Sequence, residues 1–251
     1  MKIQFCSDLH LEMRNNYLLS ETDADVIVLA GDVSTGTRGI EFAAHQSQLH
    51  NKPVIYVAGN HEFYHYDYDV LLSEIRVISE RHENVYFLEC DELMLDGVRF
   101  LGTTFWTDYR GNGTTNKMRN MAELQQFFPD HRLIKKDNKA FKTSDAFMIH
   151  LQSKAWLNAK LDESFDGKTV VVTHHGPSLC CQHPFFDDDE IAAGFHSNCD
   201  DLVAKVDAWI YGHTHSNIDT KIRNCRLVSN QVGYPNENLP MPFRADWLLE
   251  I

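Results

Sequence analysis

Five short apolar runs, each closed by Asp, Asn or His, constrain this chain of 251 residues more than any other feature. They are Ile3–His10 (IQFCSDLH), Val26–Asp32 (VIVLAGD), Val54–His61 (VIYVAGNH), Thr169–His175 (TVVVTHH) and Trp209–His215 (WIYGHTH). Short stretches rich in Val, Ile and aromatic residues predict buried strands rather than helices. A sixth run, Val98–Thr104, has the same character but ends in threonine. Helices are expected between the runs. One covers residues 38–50, a second 67–82 with Leu71, Ile75 and Ile78 on one face, and a third 144–163. In the third, Phe147, Leu151, Ala155 and Ala159 recur every four positions behind Thr143 or Ser144 as cap. Alternating strands and helices predict an α/β domain with a largely parallel, buried sheet. Such sheets bind ligands beyond the carboxyl ends of their strands, so all five polar ends are expected along one rim.

No repeat, linker or composition shift divides the chain, so residues 1–251 read as a single domain. The polar stretch Asp108–Lys142 reads as an insertion over the rim, and Asn112-Gly113-Thr114, a glycosylation sequon, marks a surface loop within it. With 43% hydrophobic and 11% aromatic residues and only 13 Gly and 7 Pro, collagen-like and disordered classes are excluded. No apolar run approaches the roughly 20 residues of a membrane span, and Met1–Phe5 lacks a signal-peptide h-region. The six cysteines (Cys6, Cys90, Cys180, Cys181, Cys199, Cys225) have no spacing suited to a disulfide framework or a thiolate zinc site. A cytoplasmic location is therefore expected. With 23 Lys+Arg against 36 Asp+Glu the net charge is −13, which argues against long nucleic acid as partner.

The strand ends supply Asp8, His10, Asp32, Asn60, His61, His174, His175, His213 and His215. Oxygen and imidazole donors without thiolate suit Mn, Fe, Zn, Co or Ni and suit Ca poorly. Seven or more donors are too many for one tetrahedral ion and fit two. In Asp8-x-His10 and His213-x-His215 the spacing of two would point both side chains of each pair to one face of an extended backbone. Gly31, Gly59 and Gly212 just ahead of these donors let the chain turn sharply and pass close to a ligand. The remaining histidines, at 45, 50, 65, 82, 131, 150, 183 and 196, read as ordinary polar residues. Of them only His183 and His196 are candidates to neighbour the site.

The ordered set Asp8-Leu9-His10, Gly31-Asp32, Gly59-Asn60-His61-Glu62, His174 and Gly212-His213-Thr214-His215 strongly resembles the calcineurin-like metallophosphoesterase superfamily. The resemblance runs from Met1 to about Ser216, with softer matches at Gly102–Asp108 and Asn230–Tyr234, and points to a small bacterial-type member. It implies a four-layer α/β/β/α sandwich with two mixed β-sheets and a dinuclear metal site at the C-terminal ends of the strands. Asp8, His10, Asp32 and His215 would hold one ion. Asp32, Asn60, His174 and His213 would hold the other, with Asp32 bridging and His174 chosen over its neighbour His175. Two divalent ions, or Fe(III) with a divalent ion, are implied, with Mn the ion expected to support activity in vitro. A metal-bridging hydroxide would attack a phosphoester in line, and His61 would act near the leaving group as proton donor or oxyanion partner. The chain departs from the pattern at Thr35, where many members carry a carboxylate that orients the motif histidine. Glu62 is not an obvious substitute.

Two other readings compete. His61-Glu62-Phe63-Tyr64-His65 matches the HExxH motif of zinc peptidases, which requires both histidines on one helix face. A non-catalytic scaffold on the same fold is the other. The acidic run 187–190 after Phe185-Phe186 reads as a solvated face, and Cys180-Cys181 as packing. Arg110, Asn116, Lys117 and Arg119 are candidates for a second phosphate or a nucleoside, though solvent-facing roles explain them equally well. A small phosphoester substrate is expected, a phosphodiester in preference to a phosphomonoester.

Overall fold

The computed structural model describes residues 1–14, 17–111, 117–186 and 190–251. The sequon Asn112–Thr114, Asn116 and Asp187–Asp189 lie outside the described residues. The first half of the chain forms β1 (Lys2–Cys6), β2 (Val26–Ala30), α1 (Arg38–His50), β3 (Val54–Val57), α2 (Tyr68–Ser79), β4 (Val85–Phe87), β5 (Asp91–Leu95) and β6 (Val98–Thr103). Then come α3 (Lys117–Phe127), α4 (Asp130–Leu133), a small hairpin of β7 (Lys135–Lys136) and β8 (Lys139–Ala140), and α5 (Thr143–Asp162). The chain continues through β9 (Lys168–Thr173), α6 (Asp200–Val203), β10 (Ala208–Ile210), β11 (Asp219–Ile222), β12 (Cys225–Val228) and β13 (Leu248–Glu250).

These strands form two large sheets, ordered β13-β1-β2-β3-β4 and β11-β12-β10-β9-β6-β5. Each has a parallel centre; the first has one antiparallel edge, β13 on β1, and the second has two, β11 on β12 and β5 on β6. Alternation along the strands sets the layers. Phe5, Val26, Val28, Ile55, Val57, Phe100, Val170, Val172 and Ile210 fill the space between the sheets. Ile27, Leu29, Val54 and Tyr56 face the other way, against Ile40 and Ala43 of α1 and Leu71 and Ile75 of α2. Val171, Trp209 and Leu227 back onto Leu157 of α5 and Leu202 and Val203 of α6. The result is helices, sheet, sheet, helices. The single rim expected from the strand pattern is in fact shared by two sheets, three polar ends coming from the first and two from the second.

Helix α5 corrects the sequence reading. Its buried stripe is Ala146, His150, Ser153 and Leu157, while Phe147 is half-buried and Leu151, Ala155 and Ala159 face solvent. The cause is polar: His150 Nδ1 donates to the Phe105 carbonyl (2.8 Å), and Ser153 Oγ bonds Thr103 Oγ1 (2.9 Å) at the end of β6. A stripe with a histidine and a serine at its centre does not show as apolar periodicity. Nor do Thr143 or Ser144 cap the helix; Asp145 does, its carboxylate accepting the Lys142 N–H (2.8 Å). The sixth run joins the second sheet as β6, beside β9.

Candidate metal centre

The carboxyl ends of β1, β2 and β3 meet those of β9 and β10, and the donor side chains gather there in three buried groups. These are Asp8 with His10 and His215, Asp32 with His174 and His213, and His10 with Asp32 and His61. Asn60 joins the second group, its Oδ1 lying 3.1 Å from His174 Nε2. His175 is in none of them; it stacks on Trp106 at 5.1 Å and turns Nδ1 to the Thr104 carbonyl.

The route to this convergence differs from the extended alternation expected of the paired residues. Asp8 (φ 55°), His10 (φ 46°), Asp32 (φ 51°), His213 (φ 69°) and His215 (φ 48°) are all left-handed, so the chain winds tightly just past each strand end. His213 and His215 consequently enter different groups rather than one. Backbone bonds hold these turns: Asp8 N–H donates to Gly31 O (3.0 Å), His10 N–H to Asp32 O (3.1 Å), and His213 N–H to both oxygens of Asp8 (3.0 and 3.1 Å). Gly31 (φ 86°) is needed for its conformation and for space, because a Cβ there would sit 2.7 Å from His174 Cγ. Gly59 is needed for space alone, with His174 Cε1 at the same 2.7 Å.

Three of the donor imidazoles are tied from behind. His10 Nδ1 bonds Glu12 (3.2 Å), His215 Nδ1 bonds Glu237 (2.6 Å) and His174 Nδ1 bonds the Ala30 carbonyl (2.9 Å). A ring whose Nδ1 carries the donated proton presents a lone pair at Nε2. His10 Nε2 and His215 Nε2 face each other at 3.2 Å, and His213 Nε2 is buried with no hydrogen-bond partner. Two converging imidazole nitrogens and an orphaned buried nitrogen are what a cation would satisfy, so the donor set fits metal ions. Asn60 is also oriented: its Nδ2 donates to Asp130 (2.9 Å), which also receives the Tyr64 hydroxyl (2.7 Å), so Oδ1 faces the group.

Charge follows this geometry. Burial alone pulls His174 down, but Asp32 outweighs it and pushes the imidazole up to about 9. Burial is likewise outweighed at His215 by Asp8 and Glu237, which raise it to about 10, and at His61 by Asp32 and Glu12, which raise it to about 9. His213, with no carboxylate bonded to it, is driven well below its ordinary value by burial and by His175 and His174.

At His61, Glu12 supplies the carboxylate missing at Thr35. The His61 Nδ1 lies 3.0 Å from Glu12, whose carboxyl is held down at about 2 because hydrogen bonds from His10 and His61 outweigh burial. Its Nε2 points toward the Tyr234 hydroxyl at 3.3 Å. Glu62 serves elsewhere, accepting the N–H groups of Asp32 (3.0 Å), Val33 (2.7 Å) and Gly59 (2.7 Å), and so braces the backbone that carries Asp32. Glu12, Asp130 and Glu237 went unrecognised in the sequence. For Glu12 a signal existed, since it continues the spacing of two through positions 8, 10 and 12. The HExxH geometry is absent: His61–Phe63 is one 3-10 turn, Tyr64 is extended, His65 has φ 74°, and α2 begins only at Tyr68.

A cavity of about 640 Å³ opens over these groups, floored by Asp32, Asn60, His61, His213 and His215. No lysine or arginine among the described residues lines it. Arg119 instead pairs with Glu190 (2.6 Å), Lys117 sits over the Phe147 ring, and Arg110 is exposed outside the lining. Of the two candidate neighbours, His183 reaches the cavity wall, whereas His196 lies under Gly176.

The calcineurin-like phosphoesterase family matches residues 1–217. The chain belongs to that family. It is 24% identical over 266 residues to an uncharacterised protein of Acanthamoeba polyphaga mimivirus, covering 94% of this chain and 92% of the relative. Among solved structures it resembles the phosphopantetheinyl hydrolase PptH of Mycobacterium tuberculosis at a TM-score of 0.70 and 20% identity, over 93% of this chain and 90% of that one. A Thermus thermophilus structure shares the fold at a TM-score of 0.52 and 12% identity, over 93% and 89% of the two chains. Calcineurin-like phosphoesterases are metal-dependent phosphoesterases with dinuclear centres, and that coarse activity comes with membership. No helix among the described residues is long and apolar enough to cross a membrane.

Proposed function

We propose that this chain is a dinuclear metal-dependent phosphoesterase of small phosphodiesters. Asp8, His10, Asp32 and His215 hold one ion, and Asp32, Asn60, His174 and His213 hold the other. The observation that carries the reading is the pair of Nε2 atoms of His10 and His215 facing at 3.2 Å while carboxylates hold both Nδ1 atoms. Two cations so held would supply Lewis acidity to polarise a phosphoryl group and to activate a water for in-line attack. The chain's own part is to fix the donors and to place a proton at His61, on Nε2 facing the cavity, with Glu12 holding the ring from behind. A phosphodiester bears one negative charge and a monoester dianion two. The cavity wall carries Asp130 and Glu237 and, among its described residues, no lysine or arginine, which favours the diester. Manganese suits the donor set. The six free cysteines suit a reducing compartment, and we place the chain in the cytoplasm as one domain over residues 1–251.

Hydrolysis of bis(p-nitrophenyl) phosphate by chelator-stripped protein, before and after Mn²⁺ is restored, tests this reading. Turnover that returns with Mn²⁺ and is lost in Asn60→Ala/His213→Ala supports it. No turnover despite two bound ions per chain would favour the scaffold. A phosphopantetheinyl ester, the group named for the Mycobacterium tuberculosis neighbour, belongs in the same assay because its arm beyond the ester adds no second phosphate.

A further inference from the structure

We infer that the cavity beside the metal centre receives an uncharged, largely apolar ester group, so that the substrates are phosphodiesters carrying one such group rather than nucleotides bearing a further phosphate. The inference rests on the phosphodiesterase reading above and names the chemistry of its second ester arm.

Three observations converge on it. The cavity is continuous with the donor cluster, since Asp32, Asn60, His61 and His213 line it, and it offers room for one substituent of a phosphoryl group held there. Its size, about 640 Å³, lies in the range of sites that enclose small molecules. Its walls are apolar: Phe128, Ile191 and Phe195 line the interior, and Phe185 and Phe186 stand at 65% and 69% exposure along the same wall. Two adjacent phenyl rings held in water beside a catalytic cavity gain their contacts when a ligand covers them. Phe186 is already packed on His183, 4.4 Å between ring centroids, so this wall is a formed surface.

Charge selects against the alternative. A nucleoside diphosphate or any ester with a remote phosphate needs a cation at that remote position. The charged groups on the wall are instead Asp130 and Glu237, while Arg119 is engaged by Glu190 and Lys117 by Phe147. A second phosphate would meet these carboxylates and, among the described lining residues, no lysine or arginine. A flat or extended uncharged group would meet phenyl rings.

The test is a matched series of p-nitrophenyl phosphodiesters in which the leaving group is constant and the other ester group is methyl, phenyl, 1-naphthyl or 2-phosphonoethyl, assayed with the Mn²⁺-loaded protein. We expect kcat/KM for the naphthyl ester to exceed that for the methyl ester by at least tenfold, carried mainly by KM, and the phosphonoethyl ester to fall below the methyl. In Phe128→Ala and Phe186→Ala, the second a rim substitution that leaves the core untouched, the naphthyl-to-methyl ratio should drop at least threefold. Equal turnover across the series, a best rate with the phosphonoethyl ester, or a ratio unmoved by both variants would overturn the inference while leaving the phosphodiesterase intact. Absence of metal-dependent turnover with every ester would overturn both.

Discussion

Asp8, His10, Asp32, His213 and His215 each hold a left-handed backbone, which costs a residue with a side chain about 1–3 kcal/mol unless its surroundings compensate. Asp and His tolerate this region better than β-branched residues, so the donor types and the turns suit one another. The carboxylates behind the rings matter as much as the rings. Glu12→Gln keeps an acceptor near His61 and removes its charge. Activity should fall about 10–100-fold. Because Glu12 raises His61, its neutralisation lowers that imidazole, so the alkaline limb of the pH–rate profile should move to lower pH with metal content unchanged. A drop in bound metal that accounts for all the lost activity would refute a role for Glu12 through His61. Proton linkage gives a second prediction. His174 and His215, held protonated up to about 9 and about 10 by neighbouring carboxylates, must each lose a proton before Nε2 binds a cation. Metal affinity should therefore rise with pH toward that range, and titration calorimetry in buffers of different ionisation enthalpy at pH 7 should find about two protons released as both ions bind. Release near zero would count against these two rings as ligands.

Strands and their polar ends were legible in the sequence because both signals are local: a buried strand needs only its own apolar residues, and its terminal donor is the next residue or two along. Partners far away were not. Glu12 meets His61 across 49 residues and Asp130 meets Asn60 across 70, and a lone carboxylate in either segment looks like any solvated one. The face of α5 was misread for a different reason, since its centre buries His150 and Ser153 against the end of β6 rather than an apolar stripe. That correction can be measured. Leu157→Ala removes a fully buried side chain and should cost about 2–5 kcal/mol, whereas Leu151→Ala, at 41% exposure, should change stability by less than about 0.5 kcal/mol in denaturant titrations. The reverse ranking would restore the four-residue periodicity. Gly31→Ala would force a Cβ against His174 at a φ of 86°. It should abolish one ion site by metal analysis even where the protein still folds.

The three apolar clusters lie between and outside the sheets and contain none of the donor residues, so the fold does not depend on the ions for its core. Chelation should leave the far-UV spectrum unchanged. Removing ligand present at about 100 times its Kd withdraws about 2.7 kcal/mol, or roughly 5–10 °C in Tm for a chain of this size, which calorimetry with and without chelator will read. Loss of helical signal on chelation would contradict this picture. The seam between the sheets has one more consequence, for the order in which the molecule is made. Each of the two proposed ion sets draws donors from residues 8–60 and again from 174–215, so a nascent chain that has emerged only as far as β6 owns three of the four donors of one set and two of the four of the other. Metallation then waits until β9 and β10 have docked, and cellular metal enters as a seal on a finished protein rather than as a nucleus around which it folds.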